Sequence, residues 1–168
     1  MDPLARRIQR EMQRAFFDNI SADIKDNNFE STFNIIDEIK SRICLVVPKR
    51  IDIHQQMHET LDIDYFKQMV THDAFELSMI KNVMTFIIDK IKELGSEHDE
   101  PWHEIWRTQI EVRFQREETL DIILPNFLKE ALNRIDKLER EIAAFKSSEM
   151  YKMLMEQRER NEFLGKNK

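Results

Sequence analysis

Turn-forming residues are rare in this chain, which has two glycines and four prolines among 168 residues. Sheets and long loops need frequent turn residues, whereas helices joined by short connections need few. Hydrophobic residues make up 41% of the chain and charged residues 35%, a balance that suits a core covered by solvated helix faces. The sequence therefore predicts an all-α protein, and its length fits one domain.

Apolar residues recur at helical spacing along most of the chain. They predict a single helical bundle of about six to seven helices over residues 1–146, with a long C-terminal helix. Asn27 favours a break between the first two helices. Gly95 suits the C′ position of the most apolar helix, which we expect at the centre of the core. Pro125 is expected to kink or restart the helix that precedes it.

The segment after Pro125 alternates three- and four-residue apolar spacing through Leu128, Ala131, Ile135, Leu138, Ile142 and Phe145. This pattern is typical of a bundle or coiled-coil seam. The same spacing serves burial within one chain and pairing between chains, so a homo-oligomer is one interpretation. The register fails after Phe145, and residues 147–168 are predicted to form a charged helical tail that docks on a partner.

The net charge, the cysteine content and the apolar patches bear on the partners and the cellular location of the protein. The net charge is −6 with both signs interleaved, so we expect no nucleic-acid partner. Cys44 is the only cysteine and is predicted to be a small buried thiol. No N-terminal secretory signal is visible, which favours a cytoplasmic location. The longest apolar patches are far shorter than the roughly 20 residues of a membrane-spanning helix, so no transmembrane segment is predicted.

Histidine and glycine patterns bear on catalysis and metal binding. His54 and His58 are four residues apart and would share a helix face, but a zinc site needs a third ligand, which is not apparent. His72, His98 and His103 are predicted to lie on the surface. Nucleophile elbows and phosphate-binding loops need several glycines, which this chain lacks. The sequence therefore predicts no enzyme, no catalytic residues, no cofactor and no metal.

The first candidate contact surface is an arginine cluster beside the apolar stripe of the first helix, made up of Arg6, Arg7, Arg10 and Arg14. Such a cluster suits an anionic membrane or an acidic partner. The alternative is a solvated face whose arginine stems pack over the core. We predict partner binding at these residues.

The second candidate surface lies in the tail, at Met150, Met153 and Leu154. Methionine side chains are flexible and suit an adaptable binding surface. Trp102 and Trp106 share a helix face, a spacing more typical of core residues than of interface anchors.

Several stretches of the chain, in order, resemble one known family. They are Ala15–Asp18, Ile35–Lys40, Val46–Arg50 and, most clearly, Leu61-Asp62-Ile63-Asp64-Tyr65-Phe66-Lys67-Gln68. These stretches look like the t-complex protein 11 family, whose members share a helical domain. The acidic Arg-Asp-Glu segment of that family is replaced here by His98-Asp99-Glu100. The resemblance covers about Ala15 to Glu111.

The resemblance implies a non-enzymatic protein associated with cAMP-dependent kinase signalling and, in animals, with sperm function. It supplies no catalytic residues to transfer. We therefore expect a non-catalytic helical protein-interaction module that is a regulator or scaffold in cAMP-dependent kinase signalling. Family members are usually several times longer in their helical region. This difference motivates the alternative, a structural component of a large assembly such as an axoneme or virus particle.

Overall fold

The computed structural model describes residues 2–166 and is 85% helical, with no strand in that range. The described chain forms eight α-helices and one short 3-10 helix at Glu97–Asp99. The prediction of an all-α bundle with a long C-terminal helix is confirmed. The α-helices are α1 (Pro3–Lys25), α2 (Glu30–Val46), α3 (Ile51–Thr60), α4 (Ile63–Thr71), α5 (Leu77–Leu94), α6 (Glu100–Gln115), α7 (Leu120–Lys146) and α8 (Glu149–Lys166).

The central helix of the bundle is α7, which packs against α1, α2, α5, α6 and α8. Its seam is buried from Leu128 through Leu138, so this part of the heptad-like pattern is buried within the chain. The seam ends at Phe145, which is 48% exposed. We had expected α5 at the centre of the core. Its apolar side is buried, but α7, with 27 residues, is long enough to contact helices at both of its ends.

Three helices end in a residue with left-handed backbone that is not glycine: Asn27 (φ 61°), Asp73 (φ 53°) and Glu117 (φ 58°). In each case the following amide donates to a carbonyl five residues earlier, the arrangement of a Schellman motif. These bonds join Asn28 N to Asp23 O, Ala74 N to Met69 O, and Glu118 N to Arg113 O, at 2.8, 2.7 and 3.1 Å. Residues other than glycine therefore end these three helices, which explains how a chain with so few glycines makes these turns.

The predicted role of Gly95 is wrong, because its φ of −82° is not left-handed. Its missing side chain matters for another reason. A Cβ at this position would lie 3.1 Å from the carbonyl oxygen of Ile91 and 3.6 Å from Nε2 of His103. Close packing at the end of α5 therefore explains this glycine better than backbone conformation does.

The helix break predicted near Pro125 lies earlier, because α6 ends at Gln115 and α7 begins at Leu120. Pro125 lies inside α7 and has no amide hydrogen, so it cannot donate to the carbonyl of Asp121. Ser21 of α1 donates its hydroxyl to that carbonyl instead, at 2.7 Å. This bond brings the C-terminal end of α1 to the N-terminal end of α7.

Aromatic rings fill two parts of the core. Trp106 of α6 stacks on Phe127 of α7, with ring centroids 5.2 Å apart. Trp102 is 60% exposed, so the prediction that both tryptophans are core residues holds only for Trp106. The second group joins α2, α4 and the segment before α5, with neighbouring centroids 5.4 to 6.1 Å apart, and consists of Phe29, Phe33, Phe66 and Phe75.

Candidate protein-interaction surfaces

The apolar stripe of α1 winds around its helix. An α-helix turns about 100° per residue, so a stripe with four-residue spacing shifts by about 40° at each step. Ile20 and Ile24 are buried, whereas the four earlier positions are 48 to 68% exposed. These four exposed residues are Leu4, Ile8, Met12 and Phe16, which we call the α1 outer face. Only the C-terminal part of the stripe therefore contributes to the core.

All four arginines of the predicted cluster are on α1 and exposed, which leaves their guanidinium groups in solvent. Arg7 lies 3.4 Å from Glu11, one turn further along the helix. Among the described residues, Arg6, Arg10 and Arg14 have no acidic group within 4 Å. At about 100° per residue, the cluster is centred roughly half a turn away from the α1 outer face. Apolar and basic surfaces thus occupy opposite sides of α1.

The tail helix α8 has no buried residue in its described part. Tyr151 contacts Phe145 at the end of α7, with ring centroids 5.6 Å apart. The predicted contact residues of the tail are 52 to 67% exposed. Together with Leu164 they follow helical spacing on one side, and we call Met150, Met153, Leu154 and Leu164 the α8 outer face.

Within the described residues, neither outer face is buried against another helix. The main contact of α8 is with α7. Side chains on both outer faces are 48 to 68% exposed, so the two faces do not pack against each other. The seven predicted contact residues therefore do not form one continuous site. Met150, Met153 and Leu154 belong to the α8 outer face, and the four arginines lie on α1 opposite its outer face.

The paired histidines of α3 have a structural explanation. Nε2 of His54 lies 3.0 Å from the carbonyl oxygen of Cys44 and 2.9 Å from that of Val47, so the ring binds the end of α2. His58 is exposed. Within residues 2–166, no group of three His, Cys, Asp or Glu side chains is placed to hold a metal ion. Cys44 packs partly against the core, and burial raises the pKa of its thiol, which disfavours the reactive thiolate.

His103 was predicted to lie on the surface, but it is buried, with 6% of its area exposed. Arg134 of α7 donates from Nη1 to Nδ1 of this ring at 2.6 Å. Arginine has no acceptor, so Nδ1 is unprotonated and the ring hydrogen is on Nε2. Burial and then the nearby Arg134 charge lower the pKa of His103, which keeps the ring neutral near pH 7. Sequence spacing gave no sign of this contact because the two residues are on different helices.

Ion pairs surround His103. Arg134 Nε lies 2.8 Å from Glu130, and its guanidinium stacks over Trp106 at 4.5 Å from the ring centroid. Lys137 donates to Asp99 at 2.9 Å, and this bond lowers the pKa of the Asp99 carboxyl. The 3-10 segment, α6 and α7 are therefore joined by a polar cluster that includes a neutral histidine.

In the part of the chain that the structure describes, no helix combines the length and the apolar character needed to cross a membrane.

Comparison with known proteins identifies the family. No solved structure matches the chain. The family model for T-complex protein 11 matches residues 1–163, a range that includes the arginine cluster and most of α8. The resemblance seen from Ala15 to Glu111 thus extends toward both ends of the sequence. Because the match covers almost the whole sequence, this chain belongs to the T-complex protein 11 family.

Proposed function

We propose that this chain is a non-catalytic protein-interaction module that binds its partner through the α1 outer face and the α8 outer face. The exposure of both faces is the observation that carries the proposal. Each face presents four large apolar side chains that are 48 to 68% exposed, and such a concentration of exposed apolar residues is typical of a contact site. A partner that covers them gains the hydrophobic free energy that the bundle itself does not use.

The arginine cluster favours a partner with an acidic surface. Arg6, Arg10 and Arg14 lie on the side of α1 opposite the α1 outer face and carry no ion pair among the described residues. Exposed basic groups speed the encounter with an acidic protein and fix its orientation. An anionic membrane is a poorer match, because the chain as a whole carries a net charge of −6.

Family membership supports a place in cAMP-dependent kinase signalling, where the module is a cytoplasmic regulator or scaffold. We assign it no catalytic residue, cofactor or metal. The regulatory and catalytic subunits of the kinase are therefore the first purified proteins to test as partners.

Affinity capture with matched variants tests the proposal. One variant replaces Leu4, Ile8 and Met12 by Gln, and a second replaces Met150, Met153 and Leu154 by Gln. The control replaces Leu45 and Ile51, which are both 76% exposed and lie outside the two faces. We expect both face variants to lose the partner and the control to keep it. Partner capture that is equal in all four proteins would contradict the proposal, and so would turnover of a substrate by the pure protein.

The amount of captured partner separates the two roles that we considered. A regulator or scaffold should be soluble and substoichiometric to its partner. A structural component of an axoneme or virus particle should sediment with the assembly at a fixed ratio. Light scattering on the pure full chain shows whether the outer faces instead join two copies, since a monomer has a mass of 20.3 kDa.

A further inference from the structure

A cleft of about 370 Å³ opens where the end of α5, the 3-10 segment and α6 meet α7. Its volume lies in the range of small-molecule sites. Two buried apolar side chains, Ile91 and Leu138, line the cleft, and Trp102 contributes a ring that is 60% exposed. An apolar wall beside an accessible aromatic ring is suited to the body of a small organic molecule.

His103 adds a hydrogen-bond donor to this cleft. Its Nδ1 accepts from Arg134, so Nε2 carries the hydrogen. Among the described residues, Nε2 has no hydrogen-bond partner, although the side chain is 94% buried, as its exposed area of 6% implies. Nε2 is not one of the side-chain atoms that are completely shielded from solvent, so an acceptor atom of a molecule in the cleft can reach it.

Gly95 keeps space open beside that donor. Its φ of −82° is accessible to any residue, so the backbone does not require glycine here. A Cβ would lie 3.6 Å from Nε2 of His103, and Gly95 also lines the cleft. A side chain at this position would therefore fill the space in which an acceptor atom reaches Nε2.

One charged side chain at the cleft is available to an anionic acceptor. Arg134 is paired with Glu130, and Lys137 is paired with Asp99 and lies 3.7 Å from Glu141. Arg140 also lines the cleft and is exposed. Its guanidinium has no acidic group within 4 Å in the described chain, so it is available to a ligand, although the lining as a whole carries three acidic and three basic residues.

We propose that this cleft is a binding site for a small organic acid with an apolar or aromatic body. The carboxylate accepts the hydrogen of His103 Nε2 and faces Arg140, while the body lies against Trp102 and Leu138. This site is separate from the proposed function, because the cleft shares no residue with either outer face. Partner binding and acid binding are therefore tested by different variants.

Three probes that share a phenyl ring test the chemistry: phenylacetate, phenylacetamide and phenethylamine. Each is titrated calorimetrically into the full chain at pH 7.5. We expect saturable binding of phenylacetate, weaker binding of the amide and no saturable binding of the amine. The NMR signal of His103 Nε2–H should shift as phenylacetate is added. Absence of saturable phenylacetate binding overturns the proposal, and so does equal affinity for the acid and either of the other two probes.

Variants test the location of the site. His103→Phe, Arg140→Gln and Trp102→Ala should each raise the Kd of phenylacetate at least tenfold. Arg140 and Trp102 are exposed, so these two variants remain informative if His103→Phe fails to fold. Ile105→Ala is the control, because Ile105 is exposed on α6 and does not line the cleft. Phenylacetate affinity that is unchanged in Arg140→Gln and Trp102→Ala, or reduced equally in the control, overturns the proposal.

Discussion

The hydroxyl of Ser21 donates to the backbone carbonyl of Asp121, the oxygen that Pro125 leaves without its usual partner in the helix. The three residues explain how proline is accommodated in the long helix α7. A hydroxyl from α1 replaces the missing amide, so this hydrogen bond joins α1 to the N-terminal part of α7.

We predict that Ser21→Ala lowers the free energy of unfolding by about 1 kcal/mol, because it leaves a partly buried carbonyl without a donor. Pro125→Ala restores the amide hydrogen, so Ser21→Ala should cost less in that background. Urea denaturation of the wild type, both single variants and the double variant measures the coupling. Strictly additive losses would show that the serine does not compensate for the proline.

Part of this fold was predictable because it depends on neighbours in sequence. Asp62 lies directly before α4, and its carboxylate accepts from Tyr65 N at 3.1 Å, as the side chain of an N-cap residue does. Pro101 lies in the first turn of α6, a position that suits proline because the amide there has no partner within the helix. The bond between Ser21 and Asp121 was not predictable, because helical spacing carries no information about residues that meet only after the helices pack.

The apolar stripe of α1 is a second case in which helical spacing did not predict how the helices pack. Its six apolar residues recur at four-residue spacing, and the rotation of about 40° per step takes the early positions away from the core. The sequence identified three residues of the α8 outer face as contact residues but none of the α1 outer face, since the exposure of a stripe residue depends on where α7 lies. The environment of His103 was missed for the same reason.

The winding stripe predicts unequal effects of the same substitution along α1. Ile20→Ala should lower the free energy of unfolding by about 2 to 5 kcal/mol, because a buried isoleucine leaves a cavity. Ile8 is 48% exposed, so Ile8→Ala should change stability by only about 0.5 kcal/mol. Urea denaturation of the two variants gives both values. Equal losses would place the whole stripe in the core.

His103 predicts a loss of stability in mild acid. Burial lowers the pKa of its ring below the ordinary value of about 6.5, so the folded state favours the neutral form. The contribution of neutral His103 to the free energy of unfolding is fully present above about pH 6.5. It decreases as the pH falls from that value toward the lower pKa of the folded state. Urea denaturation at pH 7.5 and pH 5.0 should show a larger loss for the wild type than for His103→Gln. The same loss in both proteins would mean that other groups account for the acid sensitivity.

The left-handed residue at the end of α6 predicts a stabilising substitution. Glu117 has a φ of 58° and is exposed, and glycine adopts this conformation without the steric cost of a side chain. Glu117→Gly should therefore raise the free energy of unfolding by about 0.5 to 1 kcal/mol. Gln109→Gly, inside the same helix at an exposed position, should lower it by about 1 kcal/mol. Thermal denaturation distinguishes the two, and destabilisation by both would argue against a left-handed residue at position 117.

The central claim is that the two outer faces are contact surfaces for another protein. Its most direct test is the affinity of a purified partner, beginning with the subunits of cAMP-dependent kinase, for the wild type, the two face variants and the control with Gln at positions 45 and 51. We predict that each face variant raises the Kd at least tenfold while the control matches the wild type. Equal Kd values for all four proteins would show that neither face takes part in binding.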